Sequence, residues 1–239
     1  MNANIERLKR LQDSKLPVAV IPARGGSKRI LRKNIRLFNG YPMISYAIYT
    51  LLESGIFSDV IVSTDDLEIA KISETLGAFV PFIRSSELSG DDVGTLEVIA
   101  DFVRVLNFNS NRIVCCVYAT NPFLSVANLV EGFNQITKTH LADYVCAITK
   151  YNYPIQRALA LDKNGLMQMA VPENLFLHSQ TLENRWHDAG QFYFARAITW
   201  LTKKPMLLNT IGIEIEKWRS VDIDDEEDWI KAQQLHKLE

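Results

Sequence analysis

Short apolar runs keep returning along this chain, separated by stretches of helical period, and that alternation constrains the fold more than any other feature. Residues 18–21 (Val-Ala-Val-Ile) follow Pro17 and stop at Pro22. A run this short, apolar throughout and closed by proline, reads as a strand buried on both faces. After a basic loop, Met43, Ile44, Ala47, Ile48, Leu51 and Leu52 recur at helical spacing, with Pro42 where a first turn tolerates it. The pattern then predicts a strand at 60–62, a helix over 66–76 ended by Gly77, and a strand at 79–83. Thr95 is placed to cap a helix striped by Val98, Ile99, Phe102, Val103 and Leu106, ahead of a strand at 113–117. Ser125 precedes Leu129, Val130, Phe133 and Ile136 in the same way, before a strand at 144–148. Strands separated by helices of this length imply an α/β fold whose mainly parallel sheet is covered on both faces.

The period breaks after Lys150. Residues 151–187 carry Pro154, Pro172 and scattered aromatics, which reads as an inserted arm. Strand signals resume at 192–194 and 207–215, and a last helix from about Glu226 is expected to turn Trp229, Ile230 and Leu235 inward. The chain thus divides into an N-terminal extension, 1–16, and a single domain, 17–239, that carries the arm.

Charge is where composition matters. The totals, 26 Lys+Arg against 28 Asp+Glu and a net charge of -2 with 47% apolar residues, fit neither a disordered chain nor a bulk-cationic nucleic-acid binder. They hide a segregation: residues 14–52 hold seven Lys/Arg and no acid, while 222–228 hold six acids in seven positions. Cys115, Cys116 and Cys146 lie in apolar runs without metal spacing and are expected to be buried thiols, as suits the cytoplasm. No signal-peptide pattern opens the sequence and no apolar run approaches the ~18 residues of a membrane span.

In open parallel sheets, ligands bind outside the carboxyl ends of the strands, which gives the loop after the first strand positional priority. It contains Arg24, Gly25, Gly26, Ser27, Lys28, Arg29, Arg32, Lys33 and Asn34. Paired glycines let backbone N–H groups approach phosphate, Ser27 adds a hydroxyl, and Arg24 and Lys33 supply charge toward a leaving group. The competing reading, a solvated basic loop, does not account for its place at the ligand edge. Neither a Walker pattern nor G-x-G-x-x-G is present, so the phosphates are held in another way. At the other pole, Asp222 and Asp224 stand two apart in an extended segment and project to one side, as two oxygen ligands for Mg²⁺ would. Asp224 has a second reading, as cap of the last helix with Glu227 three residues on.

These residues resemble a family. Ile-Pro-Ala-Arg-Gly-Gly-Ser-Lys-Arg-Ile-Leu-Arg-Lys-Asn (21–34), Val-Ser-Thr-Asp (62–65), Arg-Ser-Ser-Glu-Leu-Ser-Gly-Asp (84–91) and Val-Asp-Ile-Asp (221–224) look like the ordered signatures of cytidylyltransferases that make CMP-activated nonulosonic acids. The resemblance spans nearly the whole chain. Tyr-Ala-Thr-Asn-Pro-Phe-Leu (118–124) and Asp-Ala-Gly-Gln-Phe-Tyr (188–193) look like the pseudaminic acid branch. Relative to the sialic acid enzymes, the first of these loses an amide at Tyr118 and a guanidinium at Leu124, which suits a less polar sugar tail. Leu31 departs from that branch, which usually has proline there.

The resemblance implies a three-layer, Rossmann-like nucleotide-diphospho-sugar transferase fold in which the arm dimerises. It implies attack of the sugar acid's anomeric hydroxyl on the α-phosphorus of CTP, with Mg²⁺ as cofactor. Arg24, Ser27 and Lys33, with the backbone of Ala23, Gly25 and Gly26, would hold the triphosphate. Asn34, Arg84 and Asp91 would face the nucleotide, and Asp222 and Asp224 the metal. Thr120, Gln191 and Tyr118 would face the sugar. His187 has two readings, substrate contact or activation of the attacking hydroxyl on one side and packing or hydrogen bonding beside Trp186 on the other, and Tyr118 likewise has a core reading. Expected partners are CTP, a nonulosonic acid and a second copy of the chain, with no nucleic acid and no membrane. The alternatives are activation of N-acetylneuraminic, legionaminic or 3-deoxy-octulosonic acid, and, more distantly, a non-catalytic nucleic-acid-binding module.

Overall fold

In the computed structural model, which describes residues 2–238, the alternation folds into one six-stranded sheet. In chain order the strands are β1 (Val18–Pro22), a small hairpin of β2 (Leu37–Phe38) and β3 (Tyr41–Pro42), then β4 (Asp59–Ser63), β5 (Ile113–Val117) and β6 (Tyr144–Lys150). A second hairpin, β7 (Leu159–Leu161) with β8 (Met167–Met169), lies in the arm, and β9 (Trp186–Arg196) and β10 (Thr210–Glu214) follow. The large sheet runs β10-β6-β9-β5-β1-β4, and every pairing in it is parallel except those of β9. Helices are α1 (Asn2–Asp13), α2 (Met43–Ser54), α3 (Leu67–Thr75), α4 (Thr95–Val105), α5 (Val126–Lys138), α6 (Ala197–Leu201) and α7 (Glu226–His236).

Alternate residues of β1 show why helices must cover both faces. Ala19 and Ile21 pack into a cluster with Ile44 and Ile48 of α2, Ile69 of α3 and Leu129 of α5. Val18 and Val20 face the opposite way, onto Leu11 of α1, Phe102 of α4 and Trp200 of α6. Strand residues buried on both faces read as continuous apolar runs. The cysteines are buried, free thiols within these layers. Leu11, together with the Arg7–Asp59 ion pair at 2.6 Å, seats α1 on the domain.

The reversed strand follows from the arm. A parallel return would need a crossover back to the opposite edge. The arm instead leaves β6 at Lys150 and re-enters opposite it at Trp186, so β9 runs antiparallel and delivers its first residues to the carboxyl edge of its neighbours. The arm holds the β7–β8 hairpin and exposes large apolar side chains, Phe176 at 88% and Tyr153 at 84% among them.

Several expectations are corrected. No full strand forms at 79–83: Phe79 alone makes a parallel bridge, to Ile61, and Pro81 cannot donate to a ladder. Gly94, not Thr95, is the N-cap of α4. Ile230 is 53% exposed, and Ala232 takes the inward position beside Trp229.

A third apolar cluster decides where the site lies. Ile30, Phe38, Met43, Phe123, Ile223, Trp229 and Ala232 pack together at 2% exposure or less. Ile30 sits inside the basic loop and Ile223 sits between Asp222 and Asp224, so one cluster fastens both charged segments. Ile223→Val removes one methylene-sized group from it and is expected to cost about 0.5–1.5 kcal/mol. A lower denaturation midpoint at unchanged turnover is the outcome that checks it.

Candidate active site

Three adjoining cavities line the carboxyl edge of the sheet. The first, about 220 Å³, is walled by the basic loop through Arg24, Ser27, Lys33 and Asn34, with Thr120 and Asp224 opposite. The second, 250 Å³, contains Arg24, Arg84, Asp91 and Thr95. The third, 490 Å³, is lined by Thr120, His187, Asp188, Tyr193 and Asp222. Tyr118 borders all three, so they form one cleft with Tyr118 at the junction.

The basic loop is held from both sides by acids. Arg24 pairs with Asp91 at 2.8 Å and donates to the Gly90 carbonyl at 3.2 Å, and Lys28 bonds the other Asp91 oxygen. On the far side, Arg29 reaches Asp224 at 2.7 Å and Lys33 lies 3.8 Å from it. Burial pulls the Lys33 ammonium below the ordinary lysine value, while Asp224 and then Asp222 hold it up. Asn34 is buried and donates to the Arg24 carbonyl at 2.9 Å, closing the loop on itself.

The glycine pair does something not legible in the sequence. The Gly25 N–H donates to Asp65 at 2.9 Å, the last residue of the Val-Ser-Thr-Asp stretch. Arg32, at a left-handed φ of 54°, ties the loop to Asp66, which caps α3 by accepting from the Glu68 and Ile69 N–H groups. That ion pair and those N–H groups hold the Asp66 carboxyl below the ordinary carboxylate range. A Cβ on Gly25 would sit 2.6 Å from Asp66 Oδ2, which is not free to move away. Gly25→Ala is therefore expected to shift the loop and raise the KM for nucleotide roughly tenfold, where a displacement of about 1 Å can cost up to 10²-fold. Steady-state kinetics with the nucleotide varied checks it. Over Gly26 an added Cβ would meet no protein atom within 4 Å, leaving the loop's outer surface open.

The acidic segment resolves the two readings of Asp224. Asp225, not Asp224, caps α7, accepting from the Asp228 N–H in a capping box. Asp224 is thereby released toward the cleft. With Ile223 buried, the flanking carboxylates project outward, Asp222 into the 490 Å³ cavity and Asp224 into the 220 Å³ one. Burial, and next Asp224, push the Asp222 carboxyl up from its ordinary value. A divalent cation would relieve that repulsion, so the pair fits one. Among the described residues no cluster of three or more His, Cys, Asp or Glu could hold a metal, so substrate oxygens would complete the shell.

The Cytidylyltransferase family model matches residues 18–235. The chain belongs to the cytidylyltransferase family. Pseudaminic acid cytidylyltransferase of Campylobacter jejuni is 41% identical over 187 residues, covering 77% of this chain and 80% of that protein. N-acylneuraminate cytidylyltransferase A of Danio rerio is 33% identical, over 90% of this chain and 50% of its own length. A solved structure of CMP:2-keto-3-deoxy-manno-octonic acid synthetase complexed with CTP superposes at a TM-score of 0.69 and 13% identity, covering 93% of this chain and 99% of that one. This last likeness concerns the fold.

Within this family member, the structure gathers Arg24, Ser27, Lys33, Asn34, Tyr118, Thr120 and Asp224 around one cavity. Arg84 is buried, 3.8 Å from Asp65, and opens with Asp91 onto the second cavity. Three residues lie otherwise than expected, the first being Gly25, whose N–H is taken by Asp65 and not turned to the cavity. Ala23 is a core residue whose N–H extends the β1–β4 ladder to Ser63. Gln191 lies behind the cleft wall at 2% exposure, its amide donating to the Arg219 carbonyl at 2.9 Å. His187 packs against Tyr151, ring centroids 4.7 Å apart and the rings tilted by 55°, while bordering the large cavity. In sequence, Asp65, Asp188 and Tyr193 stand within motifs without a role of their own and Asp66 stands outside them; the fold places Asp188 and Tyr193 on the wall of the large cavity and Asp65 and Asp66 against the basic loop.

Proposed function

We propose that the chain activates pseudaminic acid by transferring CMP from CTP to its anomeric hydroxyl, releasing pyrophosphate. The observation that carries this reading is a cytidylyltransferase-family chain that is 41% identical to a pseudaminic acid cytidylyltransferase. The cleft supports it: a cation-lined cavity, a larger one beside it, and two aspartates facing one each.

In this reading Arg24, Ser27 and Lys33 hold the triphosphate in the 220 Å³ cavity, and Arg84 and Asp91 lie toward the nucleoside. The sugar acid occupies the 490 Å³ cavity and meets the α-phosphate at Tyr118 and Thr120, which border both spaces. Gln191 supports the sugar side from behind through its bond to the Arg219 carbonyl. Asp222 and Asp224 would hold Mg²⁺, which would supply charge neutralisation for the α-phosphate and lower the pKa of the attacking hydroxyl. Lys33 and Arg24 neutralise charge that moves onto pyrophosphate, so catalysis rests on positioning and electrostatics. On binding, phosphate oxygens displace Asp91 from Arg24 and Lys28.

The exposed apolar side chains of the arm support packing against a second copy, giving a homodimer. No helix among the described residues is long and apolar enough to cross a membrane. Incubation with CTP, Mg²⁺ and either pseudaminic or N-acetylneuraminic acid, with pyrophosphate measured, tests the reading. Turnover of pseudaminic acid is expected; turnover of N-acetylneuraminic acid alone would overturn the choice of sugar.

A further inference from the structure

We propose that Asp188 is a specificity-determining residue, which accepts a hydrogen bond from an N–H or O–H group of the sugar acid. The inference rests on the sugar-acid reading above. Asp188 borders the 490 Å³ cavity, whose other ionisable walls are His187, Tyr118, Tyr193 and Asp222, with no Lys or Arg among its lining residues. Both carboxylates repel an acidic group placed beside them, so the groups that can approach Asp188 are the substrate's neutral N–H and O–H donors.

The side chain is built for that work. It lies near the start of β9, opposite Ile148 of β6, where the register slips between Cys146 and Ile148. Such an irregularity re-aims a strand residue, here at the carboxyl edge. Two protein donors then fix the carboxylate: the Gly190 N–H, 2.9 Å from Oδ1, with Gly190 at a left-handed φ of 63°, and the Tyr193 hydroxyl on Oδ2. Tyr193 is buried, and burial, then Tyr118 and Asp188, push its phenol far up, so it stays a donor. A carboxylate with one donor on each oxygen retains lone pairs for a ligand. Tyr193 and Tyr118 pack at 5.5 Å between ring centroids, and the Tyr118 hydroxyl lies 3.2 Å from Thr95 Oγ1 at the start of α4. Asp188 is therefore held on rigid elements on the sugar side. It does not border either of the other two cavities.

The test is Asp188→Asn in the full chain, assayed with CTP and Mg²⁺ against pseudaminic and N-acetylneuraminic acid. A hydrogen bond to a charged group predicts a rise of roughly ten- to a hundredfold in the KM for pseudaminic acid. The KM for CTP should stay within about twofold, which also reports an intact fold, and selectivity for pseudaminic acid should fall with the lost affinity. Tyr193→Phe keeps the carboxylate but frees it to rotate; a smaller rise in the same KM is expected. An unchanged sugar KM in both variants, or a rise matched by the KM for CTP, overturns the proposal. A wild-type protein that releases no pyrophosphate with either acid refutes the functional reading itself, and the inference about Asp188 falls with it.

Discussion

Asp224→Asn is expected to lower kcat by roughly 10²–10³-fold, the scale of losing one preorganised electrostatic contact to a transition state. Its thermal midpoint should barely move. The reason for separating the two effects is geometric. In the free chain the Asp224 carboxylate is 38% exposed and pairs with Arg29, itself 70% exposed. An ion pair this wet contributes about 0–1 kcal/mol. The helix does not depend on it, because Asp225 caps α7. What the substitution removes is the carboxylate facing the 220 Å³ cavity, one of the two proposed to hold Mg²⁺. Asp225→Ala is the complementary control: losing the cap is expected to cost about 0.5–2 kcal/mol of stability with kcat unchanged. Paired measurement of kcat at saturating Mg²⁺ and of the melting midpoint distinguishes them. Wild-type turnover in Asp224→Asn would remove this residue from the metal site.

Lys33→Met should depress kcat roughly 10²-fold while raising the KM for CTP only a few-fold, as for a charge that acts more strongly on the transition state than on the ground state. Lys33 is the most enclosed cation lining the 220 Å³ cavity, with 18% of its side chain exposed against 38% for Arg24 and 70% for Arg29. Enclosure lowers the effective dielectric and strengthens its field on developing charge. Methionine keeps the stem's packing and removes only the charge. Single-turnover kinetics with CTP varied would show the split; equal losses in both parameters would mean simple ground-state binding.

Much of this was legible in the sequence because the physics is local. Residues 18–21 are apolar at every position, and a parallel strand buried on both faces demands that; the helical stripes near 43–52 and 95–106 likewise follow from periodicity. The basic loop's place at the cleft was legible because it follows the first strand of an open parallel sheet, at the edge where such folds form their clefts. Locally ambiguous signals fared worse. Thr95 was a plausible cap beside Gly94, which is the actual one. Asp224 reads in sequence as a cap of the last helix, and the structure gives that place to its neighbour Asp225, the same residue type one position on.

Sequence by itself thus determined the layered α/β fold and pointed to the basic loop and the two aspartates that the structure gathers at the cleft. The tertiary structure alone decided that the arm reverses β9, because its residues re-enter at the edge where β6 ends. That reversal carries Asp188 and Tyr193 to the cleft. It was likewise the packing of Ile30 and Ile223 into one cluster that brought a basic loop and an acidic segment, nearly two hundred residues apart in the chain, to the same cavity. Such contacts join residues by burial of apolar surface, which depends on the whole chain's path and leaves no mark on the charged neighbours it positions.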